Sequence, residues 1–377
     1  MPESTPRVLV DATAVPADRG GVGRYVDELL PELVTADCDV AVVCQQRDAA
    51  HYATLVGDER VRTAPAWASS VPGRLLWEQL RLPAEARAVG ADVLHCPHYT
   101  MPLATRLPVV VTLHDATFFT DPEVHLPVKA RFFRIWTRIS LRRARRTVTP
   151  SAATRDELVR VAAARAERVD VVHHGVDLVS FTRPTAAQVS AARSAAGIGE
   201  GAYVAFLGTL EPRKNVPALV RAWVRACAGR SEAPALVLAG GRGWDADVDT
   251  AVTEVPAELT VLRPGYVPLE HLAGLLGGAD VVAYPSRGEG FGLPVLEAMA
   301  CGAAVLTTRR LALPEVGGEA VAYCEPQADD IERGLRALLD DPAERARLAA
   351  EAVTRAAGFT WAAAARGHLS TYARAVA

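Results

Sequence analysis

The arrangement of short apolar runs along the chain is the feature that most constrains its fold. Through the first half, runs of β-branched and aliphatic residues recur between longer stretches with a helical pattern. These runs are Val8 to Val10, Val40 to Val43, Val93 to His95, Val109 to Leu113, Thr147 to Thr149 and Val169 to Val172. Because strands buried on both faces need no polar alternation, this pattern is typical of a parallel sheet covered by helices.

A second series of the same kind follows a polar, alanine-rich stretch. Its runs are Tyr203 to Leu207, Ala235 to Ala239, Leu259 to Leu262, Val281 to Tyr284, Ala304 to Leu306 and Ala320 to Ala322. A chain of 377 residues is also too long for a single hydrophobic core of ordinary size. The sequence therefore predicts two Rossmann-like domains with a hinge near Arg183 and Pro184, and a ligand site in the cleft that two such domains form.

Composition narrows the class of protein. A net charge of −3 argues against a nucleic-acid partner, which usually requires a strong basic surplus. The six cysteines lie far apart and show no metal-ligand spacing, as in a reduced cytoplasmic protein. Residues 1–6 lack a basic and apolar leader pattern, and no apolar run reaches the roughly 18 residues of a spanning helix. We therefore expect a cytoplasmic chain that neither spans a membrane nor carries a signal peptide.

The segment from Glu289 to Glu297 places two carboxylates eight positions apart around a glycine-rich turn. Pro294 suits the first turn of a helix, where its missing N–H is no loss, so Glu297 is expected inside that helix and Glu289 in the loop before it. Backbone N–H groups from Gly290 to Leu293, at the positive end of the helix dipole, would form a seat for an anion. The segment predicts a phosphate-bearing ligand with hydroxyl groups.

A second block, from Phe206 to Asn215, is a hydrophobic strand that breaks at Gly208 and continues into Arg213 and Lys214. Positive side chains just beyond the carboxyl end of a strand can bind an anionic group of a ligand. The alternative is a solvated pair that opens a helix.

These two blocks, about 75 residues apart, resemble the retaining GT-B glycosyltransferases of family 4, whose hallmark is two glutamates separated by seven residues. The resemblance continues in Gly20 to Tyr25, His114-Asp115, Thr149 to Ser151, Gly175 to Asp177 and Phe359 to Trp361. It implies a GT-B α/β fold with two Rossmann-like domains facing across a deep cleft. Residues 1–183 would form the acceptor domain, 184–358 the nucleotide-sugar donor domain, and 359–377 a C-terminal helix that packs back on the first domain.

The resemblance also implies roles for individual residues. Arg213 and Lys214 would hold the leaving diphosphate, Glu297 the ribose hydroxyls, and Glu289 the transferred sugar. Further donor contacts are expected at Gly208, Val267, Gly290, Phe291, Gly292 and Leu293. The alternative is that Glu289 and Glu297 are ordinary surface residues. This alternative would not explain why both flank the same glycine-rich anion-binding turn.

Three predicted site residues lie in the first domain. Gly21 belongs to a glycine-rich loop after the first strand, where small residues let a ligand approach the backbone, and Arg24 could add charge at the diphosphate or the acceptor. The loop could equally need glycine only for its turn. His114 follows a buried strand, and by resemblance it touches the donor sugar, whereas Asp115 is expected to cap the next turn. A structural histidine is the alternative.

An Asp-x-Asp pattern occurs at Asp245 and Asp247, which in the other major glycosyltransferase fold would bind a divalent metal. Here it follows a glycine-rich stretch and is expected to open a helix, where acidic side chains favour the dipole. We expect no metal ion and no other cofactor.

The stretch from Lys129 to Arg146 contains eight basic residues and no acid, interleaved with aromatic and aliphatic residues. Such a helix could rest on an anionic membrane and bring the chain to a lipid-linked acceptor at the inner face of the cell membrane. It could equally be a domain helix with a buried apolar stripe and solvated arginines.

The resemblance, taken with these features, implies a metal-independent retaining hexosyltransferase, and it implies a front-face mechanism. Leu76 to Leu80, His95 to His98 and Leu113 to Phe119 resemble bacterial polysaccharide mannosyltransferases, which favours GDP-mannose over UDP-sugars or a deoxysugar donor. The acceptor could be a glycan, a lipid-linked sugar or a small molecule. The alternatives are a GT-B-like sugar-nucleotide epimerase and an inactive partner subunit.

Overall fold

The computed structural model describes residues 6–17 and 19–377, with the side chain of Val124 left out. Residues 1–5, on which the expectation about a signal peptide depends, lie outside this range. The chain divides into two compact units, one formed by the described part of Met1–Gly175 together with Thr360–Ala377, the other by Val176–Phe359. Across the described residues, every helix is too short or too polar to cross a bilayer.

The first unit contains a parallel sheet, seven-stranded within the described residues. Its strands are β1 (Val8–Asp11), β2 (Val40–Cys44), β3 (Val61–Thr63), β4 (Val93–Cys96), β5 (Val109–Thr112), β6 (Arg146–Thr149) and β7 (Val169–Val171). Their order is β3-β2-β1-β4-β5-β6-β7, so the order reverses between β1 and β4. Side chains of β1, β4 and β5 are buried throughout, as expected for strands covered on both faces.

Helices connect these strands. They are α1 (Gly20–Thr35), α2 (Ala49–Val56), α3 (Val71–Leu80), α4 (Leu82–Ala88), α5 (Thr117–Thr120), α6 (Pro127–Arg143) and α7 (Ala152–Ala162). Helix α1 begins at Gly20, so the glycines predicted to form a loop lie instead in the first helical turn. Gly20 itself has a positive φ of 47°, which explains a glycine at the point where the chain enters the helix.

The second unit contains a second parallel sheet, six-stranded within the described residues, with the order β10-β9-β8-β11-β12-β13. Its strands are β8 (Tyr203–Leu207), β9 (Ala235–Ala239), β10 (Val261–Gly265), β11 (Val281–Tyr284), β12 (Val305–Thr308) and β13 (Ala322–Cys324). The connecting helices are α8 (Ala186–Ala196), α9 (Val216–Cys227), α10 (Asp247–Thr253), α11 (Leu269–Gly277), α12 (Leu293–Ala300), α13 (Leu313–Gly317), α14 (Ala328–Asp340) and α15 (Pro342–Ala356). This order places β8 and β11 side by side, and both carry site residues at their carboxyl ends.

The last helix, α16 (Trp361–Val376), packs against α1 and thus belongs to the first unit. It begins where the Thr360 hydroxyl accepts a hydrogen bond from the N–H of Ala363 at 3.1 Å, a typical N-cap. Its buried side chains include Trp361 and His368. The two units meet in sequence after Gly175, eight residues before the predicted hinge, and α16 begins three residues after the end of the predicted donor domain at 358.

Candidate active site

The loop between β8 and α9 carries Arg213 and Lys214 at the carboxyl edge of the second sheet. The segment Pro212–Lys214 forms one 3-10 turn, and Asn215 then adopts a left-handed backbone with φ of 62° that redirects the chain into α9. The buried Asn215 side-chain amide donates to the carbonyl oxygen of Pro285 at 3.2 Å. The loop that carries both cations is therefore tied to the segment that follows β11.

Close backbone contact also holds the start of this loop. The N–H of Gly208 donates to the carbonyl of Ala239 at 2.9 Å, and the N–H of Leu210 donates to the carbonyl of Gly241 at 3.0 Å. A Cβ atom on Gly240 would lie 2.2 Å from the carbonyl oxygen of Gly208. Gly240 and Gly241, which follow β9, were not predicted as site residues. Because they lack side chains, the backbone after β8 can pack closely against the backbone after β9.

The glycine-rich turn before α12 has the predicted form. Gly292 has a φ of 102°, which favours glycine, and Pro294 lies in the first turn of the helix. Glu289 lies in the loop after β11, whereas Glu297 lies inside α12, and both side chains are buried. Gly290 and Phe291 are also buried, and Leu293 is partly buried.

Glu289 is surrounded by hydrogen-bond donors. Its Oε1 accepts from Lys214 Nζ at 2.7 Å, from Ser286 Oγ at 2.7 Å and from the Tyr284 hydroxyl at 3.0 Å. Its Oε2 pairs with the Arg213 guanidinium, which also donates to the carbonyl oxygen of Gly288 at 2.8 Å. The structure thus brings Arg213, Lys214 and Glu289, which were predicted separately, into one ion-paired cluster.

The electrostatics of the cluster follow from its burial and its two cations. Burial alone raises the pKa of Glu289, but Arg213 and Lys214 outweigh burial and bring this pKa to about 2. Burial, and then the positive charge of Arg213, lowers the pKa of the Lys214 ammonium. Glu289 is therefore a carboxylate at neutral pH and a weak base.

Tyr284 and Ser286 were not predicted as site residues. The Tyr284 hydroxyl hydrogen-bonds both Lys214 and Glu289, and its ring lies 4.8 Å from the Lys214 ammonium. Burial, followed by the charge of Glu289, raises the pKa of this hydroxyl well above its usual value. Tyr284 ends β11 and Ser286 follows it, 5 and 3 residues before Glu289, and this position at the carboxyl end of a strand could have identified both from the sequence.

Val267 is buried two residues beyond β10, beside the exposed Tyr266. It lies at the same carboxyl edge of the sheet as Gly208 and Glu289, since all the strands of this sheet are parallel. The predicted contact of Val267 with the donor remains a prediction, as does the predicted contact of Glu297 with ribose.

In the first unit, His114 follows β5 and donates its Nε2–H to the carbonyl oxygen of Pro97 at 2.7 Å. Its ring lies 5.3 Å from that of Tyr25 and 6.0 Å from that of His174. This enclosure lowers the pKa of His114, so the ring is neutral at pH 7. Asp115 caps the next turn by accepting from the N–H of Thr117 at 3.0 Å, as expected.

Gly21 and Arg24 lie in the first turns of α1. Gly21 is exposed, and a Cβ atom there would meet open space, so the fold itself does not require glycine at this position. Arg24 is half-buried. The contacts predicted for these two residues and for His114 remain predictions.

The Asp-x-Asp segment opens α10, as expected. Asp245 accepts a hydrogen bond from the N–H of Asp247 at 3.2 Å, and Asp249 pairs with Arg263 at 2.6 Å and with Arg242 at 3.2 Å. Over residues 6–17 and 19–377, no group of three or more histidine, cysteine or acidic side chains is placed to hold a metal ion.

The basic stretch forms most of α6, and its residues divide between two faces. Ala130, Phe133, Ser140 and Leu141 are buried in the first unit. Val128 at the start of the helix is 84% exposed and Ile135 is 46% exposed. The helix therefore has both the buried stripe of a domain helix and exposed apolar side chains beside arginines.

Comparison with known proteins supports this architecture. Residues 19–180 match the family described as Glycosyltransferase Family 4, and residues 190–355 match the family described as Glycosyl transferases group 1. The O-antigen chain mannosyltransferase B of Escherichia coli is 32% identical over 272 residues, which cover 71% of this chain and 71% of that protein. The chain therefore belongs to the family 4, group 1 glycosyltransferases.

The chain is also similar to a further curated relative and, in fold, to a solved structure. The D-inositol 3-phosphate glycosyltransferase of Mycobacteroides abscessus is 35% identical over 230 residues, which cover 59% of this chain and 50% of that protein. The crystal structure of Anabaena HepE in complex with UDP-glucose matches with a TM-score of 0.76 and 18% identity, covering 97% of this chain and 98% of that chain. The expected GT-B class, with two Rossmann-like parallel sheets, is confirmed.

Proposed function

We propose that this chain transfers a hexosyl group, by preference mannosyl, from a nucleoside-diphosphate sugar to an acceptor hydroxyl, with retention of the anomeric configuration. The main support is the cluster in which Arg213, Lys214 and Glu289 meet at the carboxyl edge of the second sheet. Such an edge is where α/β folds bind nucleotides, and the family membership makes the reaction a glycosyl transfer.

In this proposal the two cations neutralise the diphosphate as the bond from sugar C1 to the phosphate oxygen breaks. Arg213 and Lys214 offer charge-assisted hydrogen bonds that strengthen as negative charge accumulates on the leaving group. Glu297, buried in α12, accepts hydrogen bonds from the ribose hydroxyls. Glu289 holds a hydroxyl of the transferred sugar and stabilises the positive charge that develops on the ring.

We further propose a front-face reaction, in which the acceptor oxygen attacks C1 on the face that the diphosphate leaves. The acceptor proton passes to an oxygen of the leaving diphosphate. A carboxylate with a pKa of about 2 is a poor general base near neutral pH, which argues against Glu289 in that role. Mass spectra of the protein with donor alone should show no added hexose, and a covalent glycosyl-protein would contradict the mechanism.

Similarity to the O-antigen mannosyltransferase supports mannose as the sugar, for which we propose GDP-mannose as the donor, whereas HepE, crystallised with UDP-glucose, keeps UDP-sugars open. A thermal-shift panel of GDP-, UDP-, dTDP- and ADP-sugars tests this choice, because the melting temperature rises with the ratio of ligand concentration to dissociation constant. We expect the largest shift with GDP-mannose. Equal and negligible shifts would indicate an inactive subunit, and conversion of the donor to its epimer would indicate an epimerase.

We propose that transfer needs no divalent metal. The ion pairs of Asp249 with Arg242 and Arg263 already satisfy the acid nearest to the Asp-x-Asp pair, which supports a role in local structure. The rate of transfer should be the same with and without EDTA. Loss of activity in EDTA and its recovery with manganese would refute this part of the proposal.

The acceptor could be a glycan, a lipid-linked sugar or a small molecule, and α6 favours an acceptor at an anionic bilayer. Exposed Val128 and Ile135 could enter the headgroup region, and the exposed Arg131, Arg138 and Arg142 could contact lipid phosphates. The surface has the charge and the apolar residues that peripheral binding requires.

Liposome flotation at low salt tests this contact. We expect the protein to float with vesicles that contain anionic lipid and to remain unbound with neutral vesicles. Val128→Asp should reduce flotation, whereas Val179→Asp should not, because Val179 is 89% exposed but lies in the other unit. Equal flotation of both variants, or none of the parent protein, would refute membrane contact through α6.

A further inference from the structure

Both cations of the proposed diphosphate site are already paired with one carboxylate. Lys214 Nζ lies 2.7 Å from Oε1 of Glu289, and the Arg213 guanidinium pairs with Oε2 of the same side chain. Another acid, Glu211, forms a longer ion pair with Arg213, at 3.4 Å. Glu289 is thus the principal counter-ion of both groups that would bind the donor's phosphates.

The carboxylate is held firmly in this place. Ser286 Oγ and the Tyr284 hydroxyl donate to Oε1 at 2.7 and 3.0 Å, and Ser286 Oγ itself accepts a hydrogen bond from the N–H of Gly288 at 3.4 Å. All three side chains, Glu289, Tyr284 and Ser286, are buried. Glu289 therefore lies on the cations because the fold positions it there, and not because two flexible surface groups have met.

A diphosphate bound at this site would accept hydrogen bonds from the same donors as Glu289. Its oxygens need the N–H groups of Arg213 and Lys214 that now point at Glu289. If the diphosphate and Glu289 shared these cations, two anions would lie within a few ångströms of each other in a buried site, where repulsion is weakly screened. Binding of the diphosphate must therefore weaken the pairing of Glu289 with both cations.

We propose that Glu289 is a built-in competitor of the diphosphate, and that donor binding exchanges Glu289 for phosphate oxygens on Arg213 and Lys214. The inference rests on the proposed function and adds a second role for this glutamate. Once displaced from the cations, the carboxylate keeps its hydrogen bonds to Ser286 and Tyr284 and turns an oxygen toward the sugar. The same competition weakens the binding of the nucleoside diphosphate product and favours its release.

This proposal makes a prediction opposite to that of a simple sugar contact. If Glu289 only contacted the sugar, its replacement would not change the affinity of the protein for a diphosphate that carries no sugar. In contrast, Glu289→Gln removes the competing charge, so pyrophosphate and the nucleoside diphosphate should bind about tenfold more tightly, because a hydrogen bond between charged groups typically contributes about that factor. Turnover should fall in the same variant, since the sugar contact is weakened.

Isothermal titration calorimetry with inorganic pyrophosphate and with GDP, UDP, dTDP and ADP measures these affinities. Glu211→Gln should tighten binding by a smaller factor, because Glu211 contacts one cation at a longer distance. Glu351→Gln is the matched control, since Glu351 is an exposed acid of the same unit that pairs with Arg347, and its affinities should equal those of the parent. If Glu289→Gln fails to fold in a thermal melt, Glu289→Asp replaces it, because the shorter side chain cannot reach both cations and should shift affinity in the same direction.

The outcomes separate this inference from the function on which it rests. Tighter binding in Glu289→Gln, graded through Glu211→Gln to the control, supports the competition. If the parent binds a nucleoside diphosphate and Glu289→Gln binds it equally or more weakly, the competition is refuted while the proposed function stands. If the parent protein binds none of these ligands, both the competition and the proposed function are refuted.

Discussion

The first unit contains a cluster of buried neutral histidines that should make its stability depend on pH. His368 of α16 is fully buried and donates its Nδ1–H to the carbonyl oxygen of Ala364 at 2.8 Å, so its Nε2 accepts from the Tyr25 hydroxyl at 2.6 Å. Fully buried His95 hydrogen-bonds Thr112 and Tyr372, at 2.9 Å each. Both rings can form these bonds while neutral.

Burial sets the direction of the effect. It lowers the pKa of His368 to about 4, and it lowers the pKa of His95 well below its usual value, with nearby His368 and His114 adding to that shift. In the unfolded chain each histidine has a pKa of about 6.5, so below that pH the unfolded state binds protons that the folded state refuses. Stability is therefore complete above pH 7 and is lost as the pH falls below 6.5.

The magnitude follows from these values. For a histidine with a folded pKa of about 4, the loss between pH 8 and pH 5 is ~2 kcal/mol. His95, whose pKa burial lowers well below its usual value, should lose stability in the same direction over the same range. For His368 alone the ~2 kcal/mol is a substantial part of the free energy of unfolding of an ordinary domain, and His95 adds to this loss.

Hydrogen exchange of the α16 amides between pH 5 and pH 8, corrected for intrinsic exchange rates, measures this free energy. His368→Gln should lower stability at pH 8 but reduce the loss between pH 8 and pH 5 by ~2 kcal/mol, because one proton-linked site is gone. His51→Gln, which alters a more exposed histidine of the same unit, is the control for the substitution itself, and the reduction of the pH dependence should be larger in His368→Gln than in this variant. If His368→Gln loses as much stability as the parent between these pH values, the reasoning is wrong.

Three other predictions concern the second unit. Gly240→Ala should destabilise it by ~2–4 kcal/mol in urea unfolding, because the new Cβ would meet the Gly208 carbonyl at 2.2 Å and φ is 128°; Gly199→Ala, where a Cβ meets open space, should change stability little. Lys214→Ala should lower kcat at least a hundredfold in a radiolabelled-sugar transfer assay, since a charge-assisted contact to the leaving group is lost, and parent-like kcat would exclude that role. Glu297→Ala should weaken binding of the nucleoside diphosphate about tenfold or more in calorimetry while pyrophosphate binding persists, because only the nucleotide has ribose hydroxyls; equal losses for both ligands would contradict ribose recognition.

Much of the secondary structure could be predicted from the sequence. The strands Tyr203–Leu207, Ala235–Ala239 and Val281–Tyr284 have the bounds that were expected, because continuous apolar runs between helical stretches are an unambiguous pattern. The short strand Val61–Thr63 was missed. It lies at the edge of its sheet, is largely exposed and pairs on one side only, so burial imposes no apolar pattern on it.

The candidate site was only partly predictable because its contacts join residues that are distant in the sequence. Glu289, Arg213 and Lys214 were found in separate motifs. Their pairing was not predicted because it joins positions that are 75 and 76 residues apart in the sequence. Tyr284 was read only as part of an apolar strand. Its hydroxyl contacts Lys214 and Glu289 because β8 and β11 are parallel neighbours, so their carboxyl ends lie side by side.

The sequence by itself determined the local order of this protein: which segments are buried strands, and which residue types can bind a sugar nucleotide. These properties depend on backbone sterics and on the period of the apolar residues, and both act over a few neighbouring positions. Tertiary structure decided the charge balance of the site and the protonation of the buried histidines. Both depend on which distant groups share a buried space, because charges interact strongly only where water is excluded.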